Sequence, residues 1–205
     1  MITINPDVGF KRLIFSGGEV QVRLDSEADQ RIIWANIRNS EDVMTLFMVT
    51  DALRRHGNKH LSLIMPYFPY ARQDRVCVAG EALSARVFAE MINAQKYEYV
   101  TVWDPHSDVV PALLNNCIVR HCSQFVCHIP ATADTVLIAP DAGAQKKVAE
   151  CAKAMGLQYL TATKHRDTNT GEITNTTLEG VLLHRKRYLI VDDICDGGRT
   201  FGELA

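Results

Sequence analysis

Residues 189–201 read LIVDDICDGGRTF, and this segment determines the fold class that the sequence predicts. A short apolar run is followed by two adjacent carboxylates, Asp192 and Asp193, and then by a turn that contains two glycines. A buried strand that ends in polar residues and leads into a helix is typical of a parallel α/β sheet, where ligands bind at the carboxyl ends of strands. The segment therefore predicts a ligand site at the edge of such a sheet.

The residue types in this turn suit two different ligand groups. Glycines let consecutive backbone N–H groups face a phosphate, and the start of a helix adds positive potential. Carboxylates repel a phosphate but suit sugar hydroxyls or a divalent cation. A phosphorylated sugar satisfies both requirements; an ordinary Asp/Gly turn between a strand and a helix is the alternative. The candidate sugar-phosphate ligands are Asp192, Asp193, Asp196, Gly197, Gly198 and Thr200.

The composition excludes several classes of protein. The chain has 205 residues, 47% hydrophobic and 22% charged, as in a globular rather than a disordered protein. A net charge of −2 gives no reason to expect nucleic acid or an anionic membrane as a partner. No apolar run approaches the roughly 18 residues of a membrane span, and the N-terminus is unlike a signal peptide. We therefore expect a cytoplasmic protein. The two common phosphate loops, GxxxxGK[ST] and GxGxxG, are absent from the sequence.

A cluster of cysteine and histidine residues invites comparison with a zinc site. It contains no C-x2-C pair, and four ligands from so short a segment would have to converge unaided. A core strand with free thiols is the favoured interpretation, because most cysteines of a reducing compartment are small buried hydrophobes. The cluster comprises Cys117, His121, Cys122, Cys127 and His128.

Apolar periodicity predicts alternating strands and helices in two successive units. In the first unit we expect strands over residues 19–24, 32–34, 61–65 and 99–103, and helices over 40–56, 82–94 and 109–114. In the second unit we expect strands over 135–139, 157–161, 178–183 and 188–191, and a helix over 144–155 that ends at Gly156. Residues 164–177 lack periodicity and predict a mobile loop. The predicted fold is α/β with mainly parallel sheets, in units of residues 1–127 and 128–205.

Polar clusters follow three other predicted strands. Residues 66–75 read PYFPYARQDR, residues 104–106 read DPH, and residues 140–141 read PD. Since the carboxyl ends of parallel strands meet at one edge of a sheet, these clusters are candidate ligand loops. A solvated proline-rich turn is the alternative for residues 66–75, and a structural hydrogen bond is the alternative for His106.

These motifs together resemble one enzyme family. The opening segment is similar to the phosphoribosyl pyrophosphate (PRPP) binding signature of type I phosphoribosyltransferase folds. FSGGEV at 15–20, MVTDALRRHG at 48–57, PYFPYARQDR, WDPH at 103–106 and APD at 139–141 resemble ribose-phosphate pyrophosphokinase, in order. The resemblance covers nearly the whole chain and implies two tandem phosphoribosyltransferase-like domains, with ATP bound on the side of the first. The implied reaction transfers the β,γ-diphosphoryl group of ATP to the 1-hydroxyl of ribose 5-phosphate, which gives PRPP and AMP.

The resemblance also implies roles for individual residues. Arg72 and Gln73 match an ATP-binding pair, since a guanidinium suits phosphate oxygens and an amide suits the nucleotide. Phe15 and Glu19 match residues that hold adenine by stacking and by accepting from its amino group. In the family this pair comes from a neighbouring subunit, so the resemblance implies a homo-oligomer, specifically a hexamer.

Metal and catalytic residues follow from the same resemblance. His106 and Asp141 match positions that bind Mg2+ or its ATP complex, directly or through water. Lys164 and Arg166 match a catalytic pair that would close over the diphosphoryl group from the predicted mobile loop. A lysine and an arginine in an ordinary solvated loop are the alternative.

The sequence departs from the family pattern at several points. Gly17 occupies the position of an aspartate in the FSDGEV form, and Arg199 occupies that of a small residue in the phosphate loop. The segment 25–30 is a shortened counterpart of a regulatory loop, which argues against inherited control by phosphate and ADP. Only five residues follow Thr200, so we expect the second domain to be incomplete and the chain to be truncated.

Two other functions remain open at this point. One is a non-catalytic homologue that keeps the fold and regulates or binds an active partner. The other is a phosphoribosyltransferase that consumes PRPP, which would leave the ATP-side residues Arg72, Gln73, Phe15 and Glu19 unexplained.

Overall fold

The computed structural model describes residues 1–5, 9–25, 31–166, 173–180, 182 and 184–204. The chain divides into two units, Met1–Arg120 and His121–Ala205. The division falls before two short 3-10 turns, Cys122–Gln124 and Val126–His128, which pack on a helix of the second unit. It therefore comes earlier than the predicted boundary after residue 127. Among the described residues, no helix is long and apolar enough to cross a membrane.

The first unit is a five-stranded sheet with helices and a separate β-hairpin. Its sheet order is β1-β4-β5-β6-β7; β1 is antiparallel to β4, and the other neighbours are parallel. The elements are β1 (Ile2–Asn5), β2 (Phe10–Ile14), β3 (Val20–Leu24), β4 (Ile32–Ala35), α1 (Ser40–Arg55), β5 (Ser62–Met65), α2 (Ser84–Ala94), β6 (Val100–Trp103), α3 (Val109–Leu113) and β7 (Cys117–Arg120).

Helix α1 anchors the core of the first unit. Asn39 caps it, because its side-chain oxygen accepts from the backbone N–H of Asp42 at 2.9 Å. Leu46, Val49 and Leu53 recur at helical spacing and are fully buried in the same cluster as the central strands. The helix predicted over residues 40–56 is therefore present.

Asp42 ties four parts of the first unit together. Its carboxylate is 3.3 Å from the Arg12 guanidinium of β2 and 3.4 Å from the amino group of Met1, and it accepts from the Arg38 backbone N–H at 3.0 Å. Burial alone would raise the pKa of Asp42, but the Arg38 hydrogen bond and the charges of the amino terminus and Arg12 lower it. The ionised carboxylate therefore stabilises the folded state at neutral pH.

Replacing Asp42 with Asn is expected to lower the free energy of unfolding by about 1–3 kcal/mol, because the buried site loses charge-assisted hydrogen bonds. Urea denaturation at pH 7 measures this loss. Since the folded pKa is lowered, the difference between parent and variant should vanish as the pH falls through that pKa. Asp51→Asn is the matched control on the same helix. Its exposed pair with Arg55 should contribute under about 0.5 kcal/mol, and an equal loss in both variants would contradict the role of Asp42.

The second unit is a four-stranded sheet of order β10-β9-β8-β11. Strand β8 is parallel to both β9 and β11, whereas β10 is antiparallel to β9. Leu137, Ala139, Val148 and Cys151 form the centre of its core. The elements are β8 (Thr135–Ala139), α4 (Gln145–Met155), β9 (Gln158–Arg166), β10 (Ile173–Glu179), β11 (Arg187–Ile190) and α5 (Arg199–Leu204). Both sheets are mainly parallel, so the predicted α/β class is confirmed.

The prediction of a mobile loop over residues 164–177 is wrong for most of that range. Strand β9 continues to Arg166, and β10 begins at Ile173 and pairs with it, with Thr163 opposite Thr177. The Thr163 hydroxyl donates to the Glu179 carboxylate at 2.9 Å across this pair. Threonine is β-branched and favours extended backbone, so cross-strand pairing forms a ladder here without an alternating apolar pattern. Residues 167–172 lie outside the described part of the chain.

Candidate functional site

Two polar loops meet at the carboxyl edge of the first sheet. Strands β5 and β6 are parallel neighbours, with Met65 opposite Val102, so the segments that follow them emerge side by side. The Ser107 hydroxyl, just after the DPH motif, donates to Asp74 Oδ2 at 2.7 Å. Arg75 Nε donates to the other Asp74 oxygen at 2.9 Å. The predicted convergence of residues 66–75 and 104–106 is therefore present.

Asp74 is the buried centre of this junction. It is 7% exposed, and the hydrogen bonds from Arg75 and Ser107 hold the pKa of its carboxyl below the ordinary value. Nothing in the sequence distinguishes this aspartate from its charged neighbours, so sequence reasoning assigned it no role. Asp74 stays ionised at neutral pH and fixes the position of both loops.

The candidate nucleotide-binding residues Arg72 and Gln73 lie on the loop that Asp74 holds in position. Arg72 and Gln73 are both exposed and immediately precede Asp74. The backbone carbonyl of Gln73 accepts from the Ala85 N–H at 3.2 Å, and the backbone N–H of Gln73 donates to the Tyr70 carbonyl at 2.9 Å. Tyr70 has a φ of +64°, a left-handed conformation that a bulky residue rarely adopts. The backbone of the loop is therefore tightly constrained beneath exposed side chains.

His106 is exposed in the neighbouring loop. That loop starts at Asp104, whose φ is +43° and whose N–H donates to Arg120 O at 2.8 Å. The structure thus brings the segments of Arg72, Gln73 and His106 together at one edge.

Phe15 and Glu19 close the turn between β2 and β3. Phe15 N–H donates to Glu19 O at 2.9 Å, and Gly18 N–H donates to Phe15 O at 2.8 Å. The Phe15 side chain is 47% exposed, and Glu19 is exposed as well. A cavity of about 680 Å³ lies between this hairpin tip and α1.

Gly17 and Gly18 in this turn provide a matched pair of substitutions. A Cβ at Gly17 would meet no atom within 4 Å, whereas Gly18 has a φ of +86° that disfavours any side chain. Gly17→Asp should therefore change the free energy of unfolding by under about 0.5 kcal/mol, and Gly18→Asp should cost roughly 1 kcal/mol or more. Thermal denaturation of both variants checks this order. Equal destabilisation would mean that the turn does not tolerate a side chain at Gly17.

Carboxylates converge at the carboxyl edge of the second sheet. Strands β8 and β11 are parallel neighbours, with Ile138 opposite Ile190, so Asp141 and the pair Asp192–Asp193 follow adjacent strand ends. Burial, the Asp193 carboxyl and the negative charges of Asp193 and Asp141 raise the pKa of Asp192 to about 6. Lys147 Nζ on α4 lies 3.0 Å from Asp193 Oδ1. The structure therefore brings Asp141, predicted to bind a metal ion, close to Asp192 and Asp193, predicted to bind the sugar.

Lys147 was not predicted from the sequence. It follows another lysine at the start of a helix, and such a pair is ordinary for a solvated helix face. Its ammonium group partly compensates the carboxylates of this edge. Asp141 also has a structural role there, because its Oδ1 accepts from Ala144 N–H at 3.1 Å before α4.

The glycine turn leads directly into α5. Gly198 has a φ of +72°, which explains why glycine stands at that position. Arg199 is the first residue of α5, and its Nε lies 2.7 Å from the Glu203 carboxylate. The replacement of a small residue by arginine therefore needs no left-handed backbone. Asp196 and Gly197 are exposed, and Thr200 is half-buried.

Lys164 and Arg166 lie on β9 rather than on a free loop. Their backbone positions pair with Thr176 and Ile173 of β10. Both residues therefore lie in the second half of β9, residues 161–166, which pairs with the antiparallel strand β10.

The carboxylates of Asp141, Asp192 and Asp193 offer oxygen ligands, which Mg2+ prefers. Within the described residues, no group of three or more His, Cys, Asp or Glu side chains is close enough to hold a metal ion alone. A cation at Asp141, Asp192 or Asp193 would therefore complete its coordination with water and ligand phosphates, as Mg2+ commonly does.

Mainly parallel sheets with polar loops at their carboxyl edges define an α/β protein of the class that binds ligands at such edges. Ribose-phosphate pyrophosphokinase 2 from Archaeoglobus fulgidus is 32% identical over 192 residues, which cover 93% of this chain and 67% of the relative. The chain belongs to the ribose-phosphate pyrophosphokinase family, a family of enzymes.

Other comparisons agree with this assignment. The family model for the N-terminal domain of ribose phosphate pyrophosphokinase matches residues 8–95. The ribose-phosphate pyrophosphokinase of Thermococcus kodakarensis is 30% identical over 97% of this chain and 71% of its own length. The crystal structure of phosphoribosylpyrophosphate synthetase from Mycobacterium smegmatis shares the fold, with a TM-score of 0.74, 23% identity, and coverage of 95% of this chain and 66% of that one. The chain spans about two thirds of the length of the curated relatives it matches.

Proposed function

We propose that this protein transfers the β,γ-diphosphoryl group of ATP to the 1-hydroxyl of ribose 5-phosphate and releases PRPP and AMP. The observation that carries the proposal is the half-buried carboxylate pair after β11, in a chain that belongs to this family. Two adjacent acidic groups suit the hydroxyls of a ribose, and the Gly197–Gly198 turn suits its phosphate. In this proposal Asp192 and Asp193 bind the sugar hydroxyls, while Asp196, Gly197, Gly198 and Thr200 bind the 5-phosphate.

The nucleotide is proposed to bind at the first sheet. Arg72 holds phosphate oxygens and Gln73 contacts the nucleotide, supported by the constrained backbone beneath them. Phe15 stacks on the adenine ring, and Glu19 accepts from its amino group. Exposure of both side chains at the hairpin tip is consistent with these roles.

Charge stabilisation during transfer is assigned to a cationic pair and a metal ion. Lys164 and Arg166 are the proposed catalytic residues, whose positive charges stabilise the diphosphoryl group as charge shifts. Mg2+ supplies neutralisation of the phosphate oxygens when it is bound. His106 of the first unit and Asp141 of the second are each proposed to bind Mg2+ or its ATP complex, directly or through water. A cytoplasmic homo-oligomer, by resemblance a hexamer, completes the proposal.

The test follows both products of the full-length natural protein. With γ-32P-labelled ATP, ribose 5-phosphate and Mg2+, we expect label in PRPP and an equal amount of AMP. Lys164→Ala and Arg166→Ala should each lower this rate by roughly 100-fold or more. Release of ADP, or no label in PRPP, would contradict the proposal.

One observation favours a second candidate, a non-catalytic homologue that binds or regulates an active partner. Gly17 stands where the FSDGEV form carries an aspartate, so one polar side chain of the nucleotide turn is absent. This candidate requires that the protein alone forms no AMP and that Lys164→Ala and Arg166→Ala leave its effect on a catalytic relative intact. A PRPP-consuming transferase is disfavoured, because it gives no role to Arg72 and Gln73.

A further inference from the structure

A lysine of α4 reaches into the carboxylate cluster of the second unit. Lys147 Nζ lies 3.0 Å from Asp193 Oδ1, and the two side chains are 18% and 9% exposed. Removing two charges from most of their water costs free energy unless they compensate each other closely. The pair is therefore part of the cluster itself and differs from a solvated contact between two surface side chains.

The packing of α4 fixes the position of this lysine. Val148, the next residue, and Cys151, almost one turn further on, are fully buried in the core of the second unit. The helix therefore cannot rotate or slide without disrupting that core. Lys146, the preceding residue, is exposed, whereas Lys147 is half-buried. Two adjacent lysines of one helix thus have different surroundings.

Negative charges as close as those of this cluster normally attract a divalent cation. The carboxyls of Asp141 and Asp193 both act on Asp192, and carboxylate oxygens are ligands that Mg2+ prefers. Asp193, however, already has an ammonium group at hydrogen-bond distance. A second cation beside the same carboxylate would be repelled by the first, strongly so where little water screens the charges. Lys147 therefore occupies the place that a metal ion would take at Asp193.

We infer that Lys147 is a built-in counter-cation that keeps divalent cations away from Asp193 and so reserves this carboxylate for the hydroxyls of the sugar. Lys147 is a positioning residue, because it acts on the sugar through Asp193. The inference rests on the proposed function in taking Asp193 as a sugar ligand. It gives a role to a lysine that belongs to none of the motifs in the sequence.

The first test measures metal binding without any substrate. Mn2+ replaces Mg2+ as a paramagnetic probe, because both ions prefer oxygen ligands. It is titrated into the full-length protein and followed by electron paramagnetic resonance. Lys147→Met should bind Mn2+ about 10-fold or more tightly than the parent, because the repelling charge is gone. Lys146→Met removes the same charge from the neighbouring exposed position and should change the affinity by less than about 2-fold.

The second test asks whether the metal and the sugar compete. Ribose 5-phosphate is titrated by calorimetry with and without Mn2+. In the parent we expect the same sugar affinity in both conditions. In Lys147→Met, Mn2+ should weaken sugar binding by about 10-fold, because both ligands now use Asp193 and the coupling is reciprocal. A lysine with only a structural role would change the Tm without creating this competition. Lys147→Arg keeps the charge and should restore the behaviour of the parent.

A further variant covers the case in which Lys147→Met does not fold. Lys147→Gln removes the charge but keeps a hydrogen-bond donor for Asp193, so it should fold and shift both measurements in the same direction. If the neutral variants bind Mn2+ no more tightly than the parent does, the inference is wrong. Sugar binding that stays independent of Mn2+ in these variants also overturns it.

Failure of this inference and failure of the proposed function give different results. A protein that forms no AMP, but in which loss of the Lys147 charge creates competition between Mn2+ and ribose 5-phosphate, keeps the inference and loses the diphosphokinase activity. A protein that forms AMP and PRPP with an Mn2+ affinity independent of Lys147 keeps the activity and loses the inference.

Discussion

Asp74→Ala should lower kcat/KM for ATP by about 100-fold and the free energy of unfolding by roughly 2–3 kcal/mol. The loss of stability follows because Ser107 and Arg75 lose a buried, charge-assisted acceptor. The loss of activity follows because the loops of Arg72 and His106 are no longer fixed relative to each other, and small misplacements of binding groups are costly. Steady-state kinetics and urea denaturation measure the two effects.

Conservative variants separate positioning from simple destabilisation. Asp74→Asn keeps an acceptor for Ser107 but loses the charge, so it should fall between the parent and Asp74→Ala in both measurements. Glu90→Gln is the control, because it removes an exposed carboxylate that pairs with Arg86 on α2 and should have little effect. If Asp74→Ala unfolds more easily yet keeps the parent KM for ATP in conditions where it is folded, Asp74 does not position the nucleotide loops.

Asp192→Asn should abolish most binding of ribose 5-phosphate while making the ligand-free protein more stable at pH 8. The pKa of Asp192 is raised from 3.8 to about 6, first by burial and then by its acidic neighbours. Between these values the folded protein holds a proton that the unfolded chain releases, so parent stability declines as the pH rises from about 4 to about 7. The Asn variant lacks this decline. Urea denaturation at pH 4.5 and pH 8 measures the difference, which should be larger at pH 8.

Binding of ribose 5-phosphate to Asp192→Asn should weaken by about 100-fold at pH 8, since the amide replaces one of two charged acceptors for the sugar hydroxyls. Calorimetry measures this change. Asp134→Asn is a suitable control, because that exposed carboxylate pairs with Lys186 just before the amino ends of β8 and β11, whereas Asp192 follows the carboxyl end of β11. Two results together would contradict this prediction: unchanged affinity of Asp192→Asn for ribose 5-phosphate, and a stability difference from the parent that does not vary with pH. They would show that the Asp192 carboxylate does not bind the sugar and that its pKa is not raised in the folded state.

The sequence predicted those features that depend on local pattern. The strands and helices around Leu46, Leu63 and Leu137 follow from apolar periodicity, and the polar loops after β5, β6, β8 and β11 follow from the positions where the apolar runs end. The confirmed α/β class rests on these two signals. The individual roles of Arg72, Gln73 and the glycine turn stay predictions, because they concern ligands.

Features that depend on tertiary contact were missed. Asp74 gains its importance from Ser107, which is distant in sequence and becomes adjacent only when β5 and β6 pair. Lys147 faces Asp193 because β11 joins the sheet beside β8, which no local pattern reveals. The β9–β10 ladder was missed for a related reason. Its polar threonines pair across strands, whereas periodicity detects only apolar faces.

Strand β9 has two halves with different neighbours. Residues 158–161 pair with β8 inside the parallel sheet, whereas residues 161–166 pair with β10. Amide hydrogens of the inner half should therefore exchange with solvent only through large openings, and those of the outer half through small local ones. We expect the backbone at Lys164 and Arg166 to exchange together with that of β10, because both belong to the antiparallel edge of the sheet. Faster exchange at residues 158–161 than at residues 162–166 would contradict this expectation.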